Sequence, residues 1–182
     1  MNVLAIIDAQ NEFIDGALGS KEAATAVDKI VTEINKGYDK IIMTNDTHDK
    51  NYLKTQEGKN LPITHGQRGT YGYEINSKII DAINSHYFYS DVYTVRKPSF
   101  GSIEFGEYIK ELYEKAVEKN EPLEVYFTGF CTGICVLSNV VIAKTFAPEA
   151  IIYVIKDACA CVTPETHNTA LNAMAPIQVN VI

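Results

Sequence analysis

Two cysteines four residues apart are the first candidates for chemistry in this sequence. Cys131 and Cys135 lie in "VYFTGFCTGICVLSNVV", residues 125–141, where an apolar run ends in a turn rich in Gly and Thr. Such a pair could be a redox couple, two ligands of a metal, or one nucleophile with an uninvolved neighbour. The spacing differs from the C-x-x-C of thiol oxidoreductases, which disfavours the redox interpretation.

Other reactive side chains follow apolar runs elsewhere in the chain. Asp8 ends "VLAIID", Asp46 ends "KIIMTND" with His48 two residues later, and Lys97 ends "VYTVRK". Cys135 falls in the first turn of a predicted helix, where the helix dipole favours a thiolate. A nearby ammonium would lower the pKa of the thiol further, and a carboxylate could accept its proton. Converging at one edge of a sheet, these groups predict an activated cysteine nucleophile.

A polar segment at about 45–73 contains a possible metal site. It is rich in Gly, His and Thr and lacks helix or strand periodicity, and a loop of that length in a compact domain is usually functional or disordered. Its carboxylates and imidazoles suit Zn²⁺, or Mn²⁺ or Fe²⁺, and the candidate ligands are Asp46, His48, Glu57 and His65. Asp49 is a solvated rival to Glu57. The alternative is a surface loop whose histidines only form hydrogen bonds.

Strand-length apolar runs alternate with amphipathic helix-length stretches, which predicts how these residues are positioned. The predicted strands are 3–8, 40–46, 92–97, 123–130, 151–158 and 177–182. The predicted helices are 20–37, 75–87, 102–119, 133–145 and 164–174. This alternation indicates one α/β domain over residues 1–182, a three-layer α/β/α sandwich with a mostly parallel six-stranded sheet. Ligands of such sheets bind outside the carboxyl ends of the strands, where the reactive residues lie.

The composition excludes several classes of partner. The formal net charge of the 182 residues is −7 and no Lys/Arg-rich run occurs, so neither nucleic acid nor an anionic membrane is expected as a partner. No apolar run approaches the roughly 20 residues that span a bilayer. The segment "MNVLAIIDAQ" lacks the basic region of a signal peptide, which predicts a cytoplasmic protein with reduced thiols. Cys159 and Cys161 are then predicted to be structural, and His86 and His167 to be surface residues.

Three segments resemble the signatures of the isochorismatase-like cysteine hydrolases, along essentially the whole chain. They are "IIDAQNEF" (6–13), "VRKPSFGS" (95–102) and "GFCTGICV" (129–136). The resemblance implies that Asp8, Lys97 and Cys135 are catalytic and that Cys135 forms a thioester with the substrate. It also implies a cis peptide bond between Phe130 and Cys131, with the backbone N–H groups of Cys131 and Cys135 forming an oxyanion hole.

The candidate metal site resembles that of the nicotinamidase branch, in which the metal binds the pyridine nitrogen and orients the ring. Phe13 resembles the aromatic residue that lines the ring pocket in that branch. Nicotinamidases commonly have an aromatic residue shortly before the last metal-binding histidine, where this chain has Leu61. Tyr71, Tyr73 or Phe100 are the candidates to replace it. The resemblance further implies a homo-oligomer and a role in NAD salvage.

Several functions remain open at this point. The first is a metal-dependent amidohydrolase that converts nicotinamide, or a similar small aromatic carboxamide, to the acid and ammonia. The second is a cysteine hydrolase of the same fold acting on another small amide, a ureido compound or isochorismate. The third is a binding protein that keeps the fold and the metal without turnover. Metal content and the release of ammonia from nicotinamide separate these hypotheses.

Overall fold

A computed structural model describes residues 1–182. Its core is one sheet of six strands: β1 (Asn2–Ile7), β2 (Lys40–Asp46), β3 (Val92–Lys97), β4 (Glu124–Phe130), β5 (Ile151–Ala160) and β6 (Val179–Val181). The strand order is β3-β2-β1-β4-β5-β6, and every neighbouring pair is parallel. The predicted α/β fold is confirmed, and the sheet is parallel throughout, because each strand returns through a crossover connection.

Helices cover both faces of the sheet. They are α1 (Asn11–Ile14), α2 (Lys21–Ile34), α3 (Gln56–Asn60), α4 (Ser77–His86), α5 (Ile103–Glu118), α6 (Leu137–Phe146) and α7 (Pro164–Met174). Residues of α5, α6 and α7 pack into one apolar core, and residues of α1, α2 and α4 pack into a second core on the opposite face. Strand β1 sends alternate side chains into the two cores, which explains its uninterrupted apolar run. None of the helices has the length and apolar composition that crossing a membrane requires.

The structure differs from the predicted elements in several places, and helix α1, for example, was not predicted. The segment taken as a loop contains a 3₁₀ turn at Tyr52–Lys54 and helix α3, whose N-terminus is capped by the Thr55 hydroxyl accepting the Gly58 N–H at 3.0 Å. A π-helical turn, Thr132–Val136, precedes α6. Strand β6 is shorter than predicted, because a 3₁₀ turn and the left-handed Gln178 come directly before it.

The central strands bring their carboxyl ends to one edge of the sheet. Asp46 pairs in register with Lys97, and Ile7 pairs with both Thr44 and Gly129. Gly129 has a φ of 111°, and a Cβ atom there would overlap the carbonyl of Ile7, so only glycine allows β4 to approach β1 this closely. The residues that follow these strand ends therefore share one site.

Candidate active site

Lys97 is the centre of a buried charge cluster at the strand ends. Its Nζ lies 2.6 Å from Oδ2 of Asp8, and both side chains are fully buried. The same ammonium donates hydrogen bonds to Sγ of Cys135 at 3.3 Å and to the carbonyl of Ser99 at 3.1 Å. Burial alone would lower the pKa of Lys97, but Asp8, Cys135 and Asp46 raise it, so the ammonium stays charged. One fixed cation thus contacts a carboxylate and a thiol at the same time.

Asp8 is held by Thr44 with its carboxylate directed at this cluster. Thr44 donates its hydroxyl to Oδ1 of Asp8 at 2.6 Å and accepts the Asp8 N–H at 3.1 Å. The Oδ2 atom forms the ion pair with Lys97 and has no further hydrogen-bond partner. Burial raises the pKa of Asp8, although Lys97 opposes the shift. Asp8 also has a positive φ of 46°, an uncommon conformation of the kind found at functional sites.

Cys135 lies in the π-helical turn between β4 and α6 and is 7% exposed. Burial and the negative charge of Asp8 raise the pKa of its thiol well above the usual value, against the charge of Lys97. Burial therefore opposes the thiolate that the helix-dipole argument favoured. The turn is fixed by Asn139, which donates to the carbonyl of Cys135 at 2.8 Å and to that of Phe100 at 3.0 Å.

The peptide bond between Phe130 and Cys131 is cis, as the family resemblance implied. The Cys131 carbonyl accepts the N–H groups of Ile134 at 3.0 Å and Val136 at 3.2 Å. The backbone from Cys131 to Val136 is therefore one hydrogen-bonded unit that carries Cys135.

The four candidate metal ligands converge in the structure. One ligand atom from each of Asp46, His48, Glu57 and His65 lies within 4.8 Å of the other three. Oδ2 of Asp46 is 3.1 Å from Nε2 of His48 and 3.2 Å from Nε2 of His65. Oε1 of Glu57 is 3.5 Å and 3.7 Å from the same two nitrogens. The rival Asp49 is exposed, and its carboxylate accepts the N–H of Asn51 at 2.6 Å.

Surrounding residues orient these ligands. The Nδ1 atom of His65 lies 2.8 Å from the Ile63 carbonyl, which directs Nε2 towards the other ligands. Tyr52, 2% exposed, packs against the rings of His48 and His65 at centroid distances of 4.5 and 4.7 Å. The His48 N–H donates to the carbonyl of Gly66 at 2.9 Å. This hydrogen bond joins the two ends of residues 48–66, the ligand loop.

Two buried polar residues after β1 connect the ligand loop to the sheet. Gln10 accepts the Asp46 N–H at 2.7 Å and donates to the Asp46 carbonyl at 3.1 Å. Glu12 accepts the Gly66 N–H at 2.8 Å. Sequence reasoning assigned no role to Gln10, Glu12, Tyr52 or Thr44. The signals were polar residues beside a strand end and a tyrosine between the two ligand histidines.

Asp46 joins the charge cluster to the ligand cluster. Its Oδ2 faces the two histidines, while its Oδ1 lies 3.6 Å from Nζ of Lys97. The groups suited to nucleophilic attack and those suited to metal binding are therefore neighbours across one carboxylate.

The aromatic candidates have different surroundings. Phe13 is half-buried and lies edge-on to the His65 ring at 5.8 Å. Tyr73 is buried, with its hydroxyl 3.1 Å from that of Thr47, whereas Tyr71 and Phe100 are 69% and 45% exposed. The carbonyl of Leu61 accepts the hydroxyl of Tyr52 at 3.0 Å.

The expected surface position of His167 is wrong: it is half-buried and its Nδ1 lies 2.7 Å from the Thr132 hydroxyl, whereas His86 is exposed.

Comparison with known families identifies the family of this chain. The profile of the isochorismatase domain matches residues 2–182. The chain belongs to the isochorismatase family. No curated protein sequence matches it at a significant level.

Solved structures related to this family member cover nearly its whole length. Nicotinamidase from Bacillus subtilis is 26% identical, with a TM-score of 0.78 over 99% of this chain and 98% of that chain. Pyrazinamidase/nicotinamidase from Streptococcus mutans UA159 is 25% identical, with a TM-score of 0.80 over 100% of both chains. Pyrazinamidase of Pyrococcus horikoshii in complex with zinc is 21% identical, with a TM-score of 0.74, and shares the fold.

The contact between Lys97 and Cys135 predicts how the thiol of this family member titrates. Lys97→Met removes a positive charge 3.3 Å from Sγ, which raises the pKa of Cys135. We expect alkylation of Cys135 by iodoacetamide at pH 8 to slow at least about tenfold, since one pKa unit changes the thiolate fraction by that factor. Peptide mapping measures the rate. Lys36→Met, at an exposed lysine, is the control, and an equal rate in both variants would contradict the contact.

Proposed function

We propose that this protein is a metal-dependent cysteine amidohydrolase that converts nicotinamide, or a close aromatic carboxamide, to the acid and ammonia. The observation that carries the proposal is the position of Asp46 between Lys97 and the two histidines. A ring held at the ligand cluster would have its carboxamide next to Cys135. The related nicotinamidases, at 25–26% identity over the full length, support the same substrate class.

The ligand cluster fits a divalent metal. Two imidazole nitrogens and two carboxylate oxygens lie within 4.8 Å of one another, and this donor set suits Zn²⁺, or Mn²⁺ or Fe²⁺. Asp46, His48, Glu57 and His65 would hold the ion. When bound, the metal would supply a Lewis acid for the ring nitrogen of the substrate. Phe13, beside His65, would line the ring pocket.

In the first half of the reaction, Asp8 removes the proton of the Cys135 thiol, and the sulfur attacks the carboxamide carbon. The negative charge that develops on the amide oxygen is stabilised by the N–H groups of Cys131 and Cys135. Asp8 then returns the proton to the departing nitrogen, which leaves as ammonia and a thioester remains on Cys135. Lys97 stays charged throughout and offsets the negative charge on Asp8 and sulfur.

In the second half, Asp8 accepts a proton from water, and the resulting hydroxide attacks the thioester carbon. Collapse of the second oxyanion breaks the carbon–sulfur bond, and the proton returns to the Cys135 sulfur as the acid is released. Because burial raises the pKa of Asp8, the carboxylate is a stronger base than an exposed aspartate. A single carboxylate thus transfers the proton in both halves.

The choice of substrate tests the ring-binding part of this proposal. We expect kcat/KM for nicotinamide to exceed that for benzamide at least about a hundredfold, because benzamide has the same carboxamide but no ring nitrogen. Ammonia release measured with each compound gives the ratio. Equal values for the two compounds would contradict recognition of the nitrogen. Hydrolysis of a ureido compound or of isochorismate, without hydrolysis of nicotinamide, would assign the protein to the alternative class.

A further inference from the structure

Cys131 and Cys161 form a pair of neighbouring thiols whose sulfur atoms have no part in the proposed reaction. The last residues in register on β4 and β5 are Phe130 and Ala160, and Cys131 and Cys161 are the residues that directly follow this pair. Adjacent strands lie about 4.8 Å apart. A disulfide needs a Cα separation of about 4.4–6.8 Å, and the strand spacing at the preceding pair, Phe130 and Ala160, falls in this range. Each of the two thiols is also the leading influence on the pKa of the other.

The surroundings of Cys161 favour a thiolate. The groups around its sulfur that favour the ionised form are the Cys131 thiol, the Thr166 side chain and the backbone N–H groups of Gly133 and Val162. Cys161 comes just before α7, whose N-terminal end carries partial positive charge. These donors lower the pKa of Cys161 to about 5, led by the hydrogen bond from Cys131, although burial opposes the shift. Of the two thiols, Cys161 is therefore the nucleophile.

A cavity gives small molecules access to this thiol. It has a volume of about 380 Å³ and lies between α2, the end of β5 and the start of α7. Cys161 and His167 line it, together with the cationic side chains Lys21, Lys29 and Lys156. The volume is ample for a small oxidant such as hydrogen peroxide.

Cys159 provides an internal comparison, since it lines the same cavity. It pairs in register with Gly129, so it has no thiol opposite it. Burial raises the pKa of Cys159 to about 12. The cavity therefore contains one cysteine that is ionised and paired, and another that is neither.

We propose that Cys131 and Cys161 are an oxidation site that closes to a disulfide on reaction with hydrogen peroxide. The Cys161 thiolate attacks one peroxide oxygen, the O–O bond breaks, and hydroxide leaves as the sulfur is oxidised to a sulfenic acid. The Cys131 sulfur then attacks the Cys161 sulfur, forming the S–S bond and breaking the S–O bond. The departing hydroxide takes up the Cys131 proton as water. Overall, two thiols are oxidised and one peroxide is reduced to two waters.

The disulfide would act on the turn that carries Cys135. Closing the S–S bond to about 2.05 Å draws the Cys131 side chain towards β5. The Cys131 carbonyl accepts the N–H groups of Ile134 and Val136, so a shift of Cys131 is transmitted to the whole turn. A displacement of about 1 Å at reacting groups costs on the order of a hundredfold in rate. Oxidation is therefore also expected to stop turnover, and this expectation rests on the proposed function.

Peptide mapping tests the oxidation site without reference to activity. Purified Cys135→Ala protein is treated with hydrogen peroxide, alkylated under denaturing conditions and digested, so that the nucleophile cannot interfere. We expect a cross-linked peptide pair containing Cys131 and Cys161, two hydrogens lighter than the sum of the reduced peptides. Adding Cys159→Ser should leave the cross-link in place, and adding Cys161→Ser should abolish it. Oxidation of Cys161 to sulfinic acid with Cys131 still reduced, at the same peroxide dose, would overturn the proposal.

An activity measurement separates this proposal from the proposed function. Peroxide should lower nicotinamide hydrolysis by the otherwise unmodified protein at least tenfold, and dithiothreitol should restore it. The Cys161→Ser variant should lose less than half of its activity under the same treatment. Full, reversible inactivation of Cys161→Ser would place the sensitive thiol elsewhere. A reduced protein that never hydrolyses nicotinamide, yet forms the Cys131–Cys161 cross-link, would remove the proposed function and leave the oxidation site.

Discussion

Cys135→Ala is expected to lower kcat for nicotinamide hydrolysis at least about a thousandfold, because removing a covalent nucleophile costs this much or more in other hydrolases. Sγ of Cys135 lies 3.3 Å from Nζ of Lys97, and no other thiol is hydrogen-bonded to that ammonium. A discontinuous assay of ammonia measures the loss. Rapid quenching with mass spectrometry should also detect an acyl group on the protein with Cys135 and none on the variant.

Cys159→Ala is the matched control for this experiment. Both cysteines belong to the same apolar core, at 7% and 5% exposure, so each substitution removes one buried sulfur from it. We expect similar losses of stability, about 1 kcal/mol in the free energy of unfolding. Sγ of Cys159 donates a hydrogen bond to the carbonyl of Phe127 at 3.8 Å and none to the charged groups around Lys97, so turnover should persist in this variant. Equal losses of activity in the two variants would mean that core packing, and not the nucleophile, accounts for the effect.

Removing the metal is expected to have the second-largest effect. After dialysis against a chelator, kcat/KM for nicotinamide should fall at least about a hundredfold and return when Zn²⁺, Mn²⁺ or Fe²⁺ is added back. His65→Ala should reduce the bound metal, measured by elemental analysis, to less than a tenth of that of the unsubstituted protein. The reason is that His65 supplies one of only four ligand atoms and is oriented by its hydrogen bond to Ile63.

His86→Ala controls for the loss of a histidine as such. His86 is exposed on α4, and its Nδ1 lies 3.1 Å from the Ala82 carbonyl. The metal content and activity of the His86→Ala variant should match those of the unsubstituted protein. Full activity of metal-free protein towards nicotinamide would contradict the proposed orientation of the ring by the ion.

The sheet was predictable from sequence because its strands are buried on both faces. An uninterrupted apolar run such as that of β1 predicts a buried strand, because the side chains on both of its faces are apolar. The short helices were not predictable on the same basis. Helix α3 has five residues and depends on the Thr55 cap and on packing near Tyr52, which leave no periodic pattern in the sequence.

The site residues at the strand ends were predictable from sequence, but the residues that hold them in place were not. Asp8, Asp46 and Lys97 each end an apolar run, so the topology of a parallel sheet was enough to expect them at one edge. Thr44 and Gln10 support Asp8 and Asp46 across strands, through contacts between residues 36 positions apart. Residue types alone do not reveal such contacts, because threonine and glutamine occur in many surroundings. The ionisation of Cys135 depends on its burial, which the sequence does not state.

Because the ion pair formed by Lys97 and Asp8 is fully buried, dissolved salt affects its charges differently from those of a surface pair. Dissolved ions screen exposed charges over about 8–10 Å in dilute salt, but they screen buried charges much less. Salt therefore weakens surface pairs such as Lys115 with Glu111 far more than the field that Lys97 exerts on the Cys135 sulfur. We expect the reactivity of the thiol to change little with ionic strength.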